Sequence, residues 1–343
     1  MPSIAARVAT VNFEDYFRRV RTHVFEDDPR FVGSVVDHGV LTDTHVLTDL
    51  VIDGVVFLQR LRLSDFGVDW RTPLPNYPNH IALDGERVYT SPIVHGFAGI
   101  DDAFDELDRK SEGKSRRKAR KSSCELVRST DLQPQSFIAS FDATTGMPLW
   151  ARVAERCYED VFCDGDRLIF SEKIEGGADI RSAANGALIQ HLKLEGNVFH
   201  FGQGRVLYVT NSDGTVVAYE LDHRTVQWEH GEGVEDAVFH HGNVYAVGNG
   251  SLVRLNANLD GRVLAQTEVE PKSERMFFFG GRLYLVNDLA NPERIQVFDR
   301  RTLKPKAVIT NNKSGAYSML ANNHAFYMSE GNDRTVVELV PRE

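Results

Sequence analysis

Along most of the chain, apolar and polar residues alternate in short runs, each bounded by Gly, Asp or Asn. Thr215-Val-Val-Ala-Tyr219 and Ile295-Gln-Val-Phe298-Asp299 are two such runs. A period of two predicts half-buried strands, because successive strand side chains point to opposite faces. The bounding residues supply tight reversals. One unit recurs: polar turn, strand, second turn, strand, polar turn, final strand. Its first hairpin reads Asp53-Gly54-Val-Val56, Asp84-Gly85-Glu-Arg-Val-Tyr89, Asp164-Gly165-Asp-Arg-Leu-Ile169 and Gly202-Gln-Gly-Arg-Val-Leu207. It returns as His241-Gly242-Asn-Val-Tyr245, Gly280-Gly281-Arg-Leu-Tyr284 and Asn322-Asn323-His-Ala-Phe326.

Aligned on the third strand residue, the units fall at positions 56, 89, 169, 207, 245, 284 and 326, so the last four steps are 38, 38, 39 and 42 residues. A period of ~40 residues suits a four-stranded blade. The step from 89 to 169 reads as one blade with an insertion, and the step from 56 to 89 as a short first blade. The expected fold is all-β: a single seven-bladed β-propeller of four-stranded antiparallel blades, forming one domain over residues 1–343. After its first hairpin the last unit holds only Thr335-Val-Val-Glu-Leu-Val340, which leaves its outer edge unpaired. An N-terminal strand, Ile4 to Val11, is expected to close that blade. Asn12 then suits a helix cap, with Phe13, Phe17, Val20 and Val24 along one face and Glu14 four residues before Arg18. Strand is the open alternative for that stretch.

The turn into the final strand is also legible. Phe141-Asp142-Ala-Thr-Thr145-Gly146 followed by Trp150 is its fullest version, with weaker versions ending at Trp70 and Trp228. These residues resemble the quinoprotein-like (PQQ-like) propeller repeat, over residues 45 to 340. The resemblance implies architecture more than chemistry. Quinoprotein dehydrogenases are larger, usually eight-bladed and exported, and many hold their quinone beside an adjacent cysteine pair. This chain has no Cys-Cys, so a quinone cofactor is not carried over.

Composition narrows the setting. Among 343 residues, 42% are apolar, enough for a large core. Twenty Phe and 27 Gly against five Met favour short strands and tight turns. No apolar run reaches the ~18 residues of a membrane span. The segment Met1 to Asn12 carries neither a basic leader nor a sustained apolar stretch, so no signal peptide is expected. Cys124, Cys157 and Cys163 form no disulfide framework and no CxxC pair. The expected setting is therefore reduced and cytoplasmic, or nuclear in a eukaryote. A net charge of −10 disfavours general nucleic-acid binding.

Residues 97–135 interrupt blade two. They begin acidic and turn basic, with Lys110, Lys114, Arg116, Arg117, Lys118, Arg120 and Lys121, and they show no apolar period. Such a run buries too little surface to offset its ordering entropy, so a mobile, solvated insertion is expected. Lys114, Arg116, Arg117, Lys118, Arg120 and Lys121 are also the candidates for docking a phosphate or an acidic partner. A nuclear-import-like basic cluster is a third reading.

The remaining chemistry is expected at the mouth of the central channel, where each inner strand begins. The residues before the anchors include Asn79, His80, Glu159, Asp160, Asn197, Glu235, Asp236, Glu274, Arg275, Tyr317 and Ser318, with Asp49 as a further member. Solvated mouth residues are the plain reading. Oxygen ligation of a divalent cation such as Ca²⁺ by Glu159, Asp160, Asn197 and Asp236, with His80 or a carboxylate handling a proton, is the chemical one. No GxSxG elbow, Walker loop or HExxH zinc motif is present, and the twelve histidines show no metal-binding spacing. Two functions follow as expectations. The first is a non-enzymatic scaffold that recruits a protein partner, without a cofactor. The alternative is a metal-assisted, lactonase-like hydrolase at the channel mouth.

Overall fold

A computed structural model describes residues 8–24, 40–52, 55–74, 78–92, 137–156, 158–172, 177–202, 206–231, 233–257, 260–270, 275–286, 294–310, 319–322, 324–330 and 335–342. They form seven sheets, each with four antiparallel strands of one blade. From inner to outer strand, blade one spans residues 40–74, blade two 78–153, blade three 158–192, blade four 196–230 and blade five 234–268. Blade six spans 275–310, and blade seven spans 319–341 with Phe17–Val24 as its outer strand.

The alternating pattern explains where the core sits. Each second strand is buried on both faces, so Val88, Tyr89, Leu168, Ile169, Phe170, Leu283 and Leu285 are almost wholly inaccessible. The buried residues group into seven clusters, and each cluster lies between neighbouring blades. A blade alone would leave both sheet faces wet, so packing on its neighbours is what stabilises it.

An N-terminal strand closes the last blade, as the unpaired edge of Thr335–Pro341 requires. The segment differs from the expected one. Phe17–Val24 pairs antiparallel with Thr335–Pro341, whereas Thr10–Asn12 adds a parallel fifth strand to the outer edge of blade six. The helix shrinks to the single turn Phe13–Tyr16 between them. Phe17 decides this outcome: it is buried against Tyr284 and Phe326, which a strand places better than a longer helix would.

The first blade is not short. Its inner strand is Val40–Leu41, and the hairpin around Asp53-Gly54 joins its second and third strands. Leu47 is therefore the counterpart of Tyr89, since both pair with the inner strand from the centre of the second. In blade four the corresponding residue is Tyr208, whose hydroxyl donates to the Ala257 carbonyl as that of Tyr245 donates to the Arg300 carbonyl. The insertion at 97–135 connects the second and third strands of blade two and lies outside the described residues, as do Cys124 and Cys157.

Trp70, Trp150 and Trp228 fasten consecutive blades in one way. Their indole N–H groups donate to the carbonyls of Ala143, Ala183 and Ala257 in the next blade. Each ring lies over the turn glycine, Gly146, Gly186 or Gly261, so close that a Cβ there would fall 2.5–2.6 Å from it. Those glycines also have φ near +65°, which L-residues reach only at a cost. Where the tryptophan is replaced, the glycine is replaced too. Gln190 faces a turn with Arg224 at φ 57, and Ala265 faces one with Leu303 at φ 54. At the junction of blades seven and one, Arg21 takes the tryptophan's place and donates to the carbonyls of Leu63 and Ser64.

Candidate functional site

The register places five of the expected channel-mouth residues at one depth. His80, Asp160, Asn197, Asp236 and Arg275 pair with Ser91, Ser171, Thr210, Val247 and Val286, the corresponding position of each second strand. In blades two, three and five a bulge just before this position turns the strand, occupied by Asn79, Glu159 and Glu235. Glu235 and Asn197 are exposed. Asp49 lies instead on a second strand, opposite Leu58 of the third. The side chains of Asn79 and Glu159, and all of Glu274, Tyr317 and Ser318, lie outside the described residues.

These side chains associate in pairs of opposite polarity. His80 Nε2 lies 3.9 Å from Asp160 Oδ1, and its Nδ1 is 3.2 Å from the Val161 carbonyl in the next blade. Asp236 feels the attraction of Arg275 and accepts a backbone hydrogen bond from Ala237, but burial outweighs both and pushes its carboxyl up to about 6. Two neighbouring pairs, His80 with Asp160 and Asp236 with Arg275, thus stand at the mouth.

A different group comes together inside blade three. Glu172, Asp179 and His191 place ligand-type atoms within 4.8 Å of one another, the one such trio of His, Cys, Asp or Glu among the described residues. Asp179 and Arg181 alternate on the third strand and therefore share a face, wholly buried. Arg181 donates to Asp179 at 2.9 Å and to the Tyr158 hydroxyl at 3.1 Å. The Tyr158 hydroxyl in turn donates to Asp179, and burial with this bond holds it well above the ordinary tyrosine range. His191 Nδ1 stands 3.0 Å from Asp179 Oδ1, and Arg156 Nη1 stands 3.0 Å from Glu172 Oε1. Two guanidiniums against two carboxylates leave little net charge for a divalent cation, so the trio behaves as an internal ion network. Period-two patterning missed it because Asp179 and Arg181 occupy positions that pattern assigns to the core.

Two further groups are set by burial. His200 lies flat on Phe239 with ring centroids 4.0 Å apart, and burial lowers its pKa to about 4. His240 stacks on Phe278 and takes a hydrogen bond from Arg300 at Nε2. Burial, with His241 and Arg300 nearby, holds it at about 4 too. Both are neutral core rings near pH 7. The Cys163 thiol is pushed up to about 12 by burial and by Asp84 and Asp164, which makes it a poor nucleophile.

The outer strands carry another feature. Met147 (64% exposed), Leu149 (48%) and Val153 (45%) stand on blade two, and Leu188 (46%) and Ile189 (54%) on blade three. Trp150 docks on Ala183 and Gly186 and Arg152 Nε donates to the Asn185 carbonyl at 2.5 Å, so the blade-two outer strand meets the turn that leads into the blade-three outer strand.

No protein-family model matches the chain, and no curated protein matches it. Solved structures do. BamB from Moraxella catarrhalis is 11% identical, with 94% of this chain and 97% of that one covered and a TM-score of 0.58. The WD40 domain of Neurospora crassa Pan2 is 9% identical over 97% of this chain and 98% of its own, at 0.61. The WD40 β-propeller domain of Doa1 is 13% identical over 95% and 98%, at 0.55. The shared property is the propeller fold. Among the described residues, no helix is long and apolar enough to cross a membrane.

Proposed function

We propose that this propeller is a non-catalytic scaffold that holds an extended segment of a partner protein along the outer edges of blades two and three. The observation that carries this reading is the exposure of Met147, Leu149, Val153, Leu188 and Ile189 at the outer edges of two successive blades. Sheet edges usually carry charge or proline to prevent association, so large apolar side chains exposed there suit a partner strand. Blade six supports the mode of binding, because Thr10–Asn12 already lies along its outer strand as an added parallel strand. Main-chain hydrogen bonds would supply affinity and alternate side chains selectivity.

On this reading the ring works without a cofactor, in the cytoplasm, and the basic residues Lys114 to Lys121 give a phosphate-bearing or acidic partner a second contact. The tryptophan-on-glycine junctions favour a quinoprotein-like origin for the repeat over a WD40 one. A cation-assisted hydrolase at the channel mouth has less support, because His80 lies beside Asp160, and Asp236 is largely shielded by burial with Arg275 near it.

The test is selection of random peptides on the purified full chain, followed by titration of the enriched peptides. Alternating apolar peptides should bind, and Leu149→Lys with Ile189→Lys should weaken them by roughly tenfold or more, as loss of central anchors does. Val226→Lys, on the blade-four edge, should leave them unchanged. Enriched peptides that bind the double variant as well as the parent, or a selection that enriches none, would remove the proposal.

A further inference from the structure

The ring has one seam at which its regular construction fails. In blades one to six a short turn joins the third strand to the outer strand, as Ala143–Gly146 and Ala183–Gly186 do. In blade seven those two strands come from far-apart segments, so no such turn joins them. The polypeptide crosses the seam instead at Tyr16, whose carbonyl accepts from the Arg342 N–H at 2.7 Å. Tyr284 shows the consequence. Its counterparts Tyr208 and Tyr245 donate to turn carbonyls of the next blade, whereas its hydroxyl meets the Tyr16 hydroxyl at 3.5 Å.

The missing turn leaves a cavity of about 850 Å³ between blades six and seven. That is the size of a small-molecule site. It lies on the face formed by the first-hairpin turns, as its Gly280 and His324 walls show. This is the opposite face from the His80–Asp160 mouth. Arg18, Arg282, Arg342 and His324 line it, and among the described residues no aspartate or glutamate does. Three guanidiniums converging in a chain of net charge −10 make this a local positive well. Arg282 is held in place by the Tyr16 hydroxyl at 2.6 Å, and Arg342 Nε reaches the Phe17 carbonyl at 3.4 Å. A guanidinium has five N–H donors, so both retain donors for a ligand. His324 Nε2 stands 3.6 Å from Asp43 in the inner hairpin turn of blade one, so it is the weakest of the four. Phe279 and the buried Tyr284 supply an aromatic wall.

We infer that this seam cavity binds a small organic phosphate, with the phosphoryl oxygens on Arg18, Arg282 and Arg342 and an apolar or aromatic portion against Phe279. A phosphoryl group brings nearly two negative charges and three acceptor oxygens for the three guanidiniums, against one charge and two oxygens for a carboxylate, which favours phosphate. The volume exceeds the needs of a bare inorganic ion, and the mixed cationic and aromatic lining calls for a ligand with both parts.

The experiment is calorimetric titration of the full chain at low salt with inorganic phosphate, phenyl phosphate and benzoate as probes. Phenyl phosphate should bind most tightly, inorganic phosphate more weakly, and benzoate weakest. Arg18→Ala, at an exposed position on the rim, and Arg342→Ala should each weaken phenyl phosphate by roughly tenfold or more. Phe279→Leu should reduce the advantage of phenyl phosphate over inorganic phosphate. Arg262→Ala, on blade five, should change nothing. Thermal unfolding of each variant without ligand reports whether the seam remains closed, so lost binding in a protein that melts with the parent locates the site. Absent binding of phenyl phosphate at millimolar concentration would overturn the inference. So would unchanged affinity in both arginine variants, or equal binding of benzoate. These outcomes are independent of the peptide selection, which concerns blades two and three.

Discussion

Blade three and blade five have the same four strands and nearly the same register, yet their interiors differ in kind. Blade five fills two equivalent third-strand positions with Val253 and Leu255, and blade three fills them with Asp179 and Arg181, both wholly buried. The other blades follow blade five at the second position, with Leu61, Phe141, Phe298 and Leu339 buried and Tyr219 partly so. The backbone therefore does not demand a charge there. What makes the pair tolerable is its surroundings, because Tyr158, His191, Arg156 and Glu172 supply hydrogen bonds and opposite charges, although Arg181 Nε stays without a partner. A buried ion pair contributes little net stability over apolar residues of similar volume, but losing half of it is costly. Blade three is thus stable as an assembled network and fragile in its parts.

The largest expected effect breaks that contrast directly. Asp179→Ala leaves Arg181 buried without its counter-charge and should cost about 3–5 kcal/mol in urea unfolding at pH 7. The double change Asp179→Val with Arg181→Leu converts blade three to the blade-five pattern and should recover most of that loss or exceed the parent. A single substitution costing less than about 1 kcal/mol would mean the network is solvated and the two blades are alike.

The junctions sharpen the comparison next. Gly186→Ala in blade three adds a Cβ 2.6 Å from the Trp150 ring at a φ of +68° and should cost about 2–3 kcal/mol. Arg224→Gly, at the matching turn of blade four with φ 57, should instead stabilise by about 1 kcal/mol. Thermal melts of the two variants should move in opposite directions, and a shift of the same sign would refute their equivalence.

A pH-dependent effect concerns the channel ends of these blades. Asp160 of blade three has His80 beside it, whereas burial raises Asp236 of blade five to about 6. A carboxyl whose folded pKa is raised holds its proton more tightly in the native state. Its contribution is therefore full below pH ~4 and is lost as pH rises through about 6. Asp236→Asn should remove that loss, gaining about 2 kcal/mol relative to the parent between pH 4 and pH 8. Urea titrations at pH 4 and pH 8 read that gain directly, and the same parent-to-variant difference at both pH values would refute it.

Much of this architecture was legible beforehand. The repeated hairpins marked the blades, and the unpaired edge of Thr335–Pro341 showed that an N-terminal strand must complete the last one. The register also carried His80, Asp160, Asn197, Asp236 and Arg275 to one depth, because side-chain direction in a strand follows from counting residues. The closing segment was misplaced because Phe17, Val20 and Val24 carry helical spacing whereas Ile4 to Val11 has strand character, and only the pocket offered by Tyr284 and Phe326 selects Phe17. The first blade was misread because the Asp53-Gly54 hairpin has the same local composition as the inner hairpins.

The sequence by itself determined the period, the strand faces and the turn chemistry, since these depend on residues close along the chain. Only the tertiary structure decided which partners those faces meet. The Trp70, Trp150 and Trp228 docks, the Asp179–Arg181 network and the cationic cavity at the seam all join residues from different strands or blades. Their energies come from desolvation and close contact, and neither exists until the ring has closed.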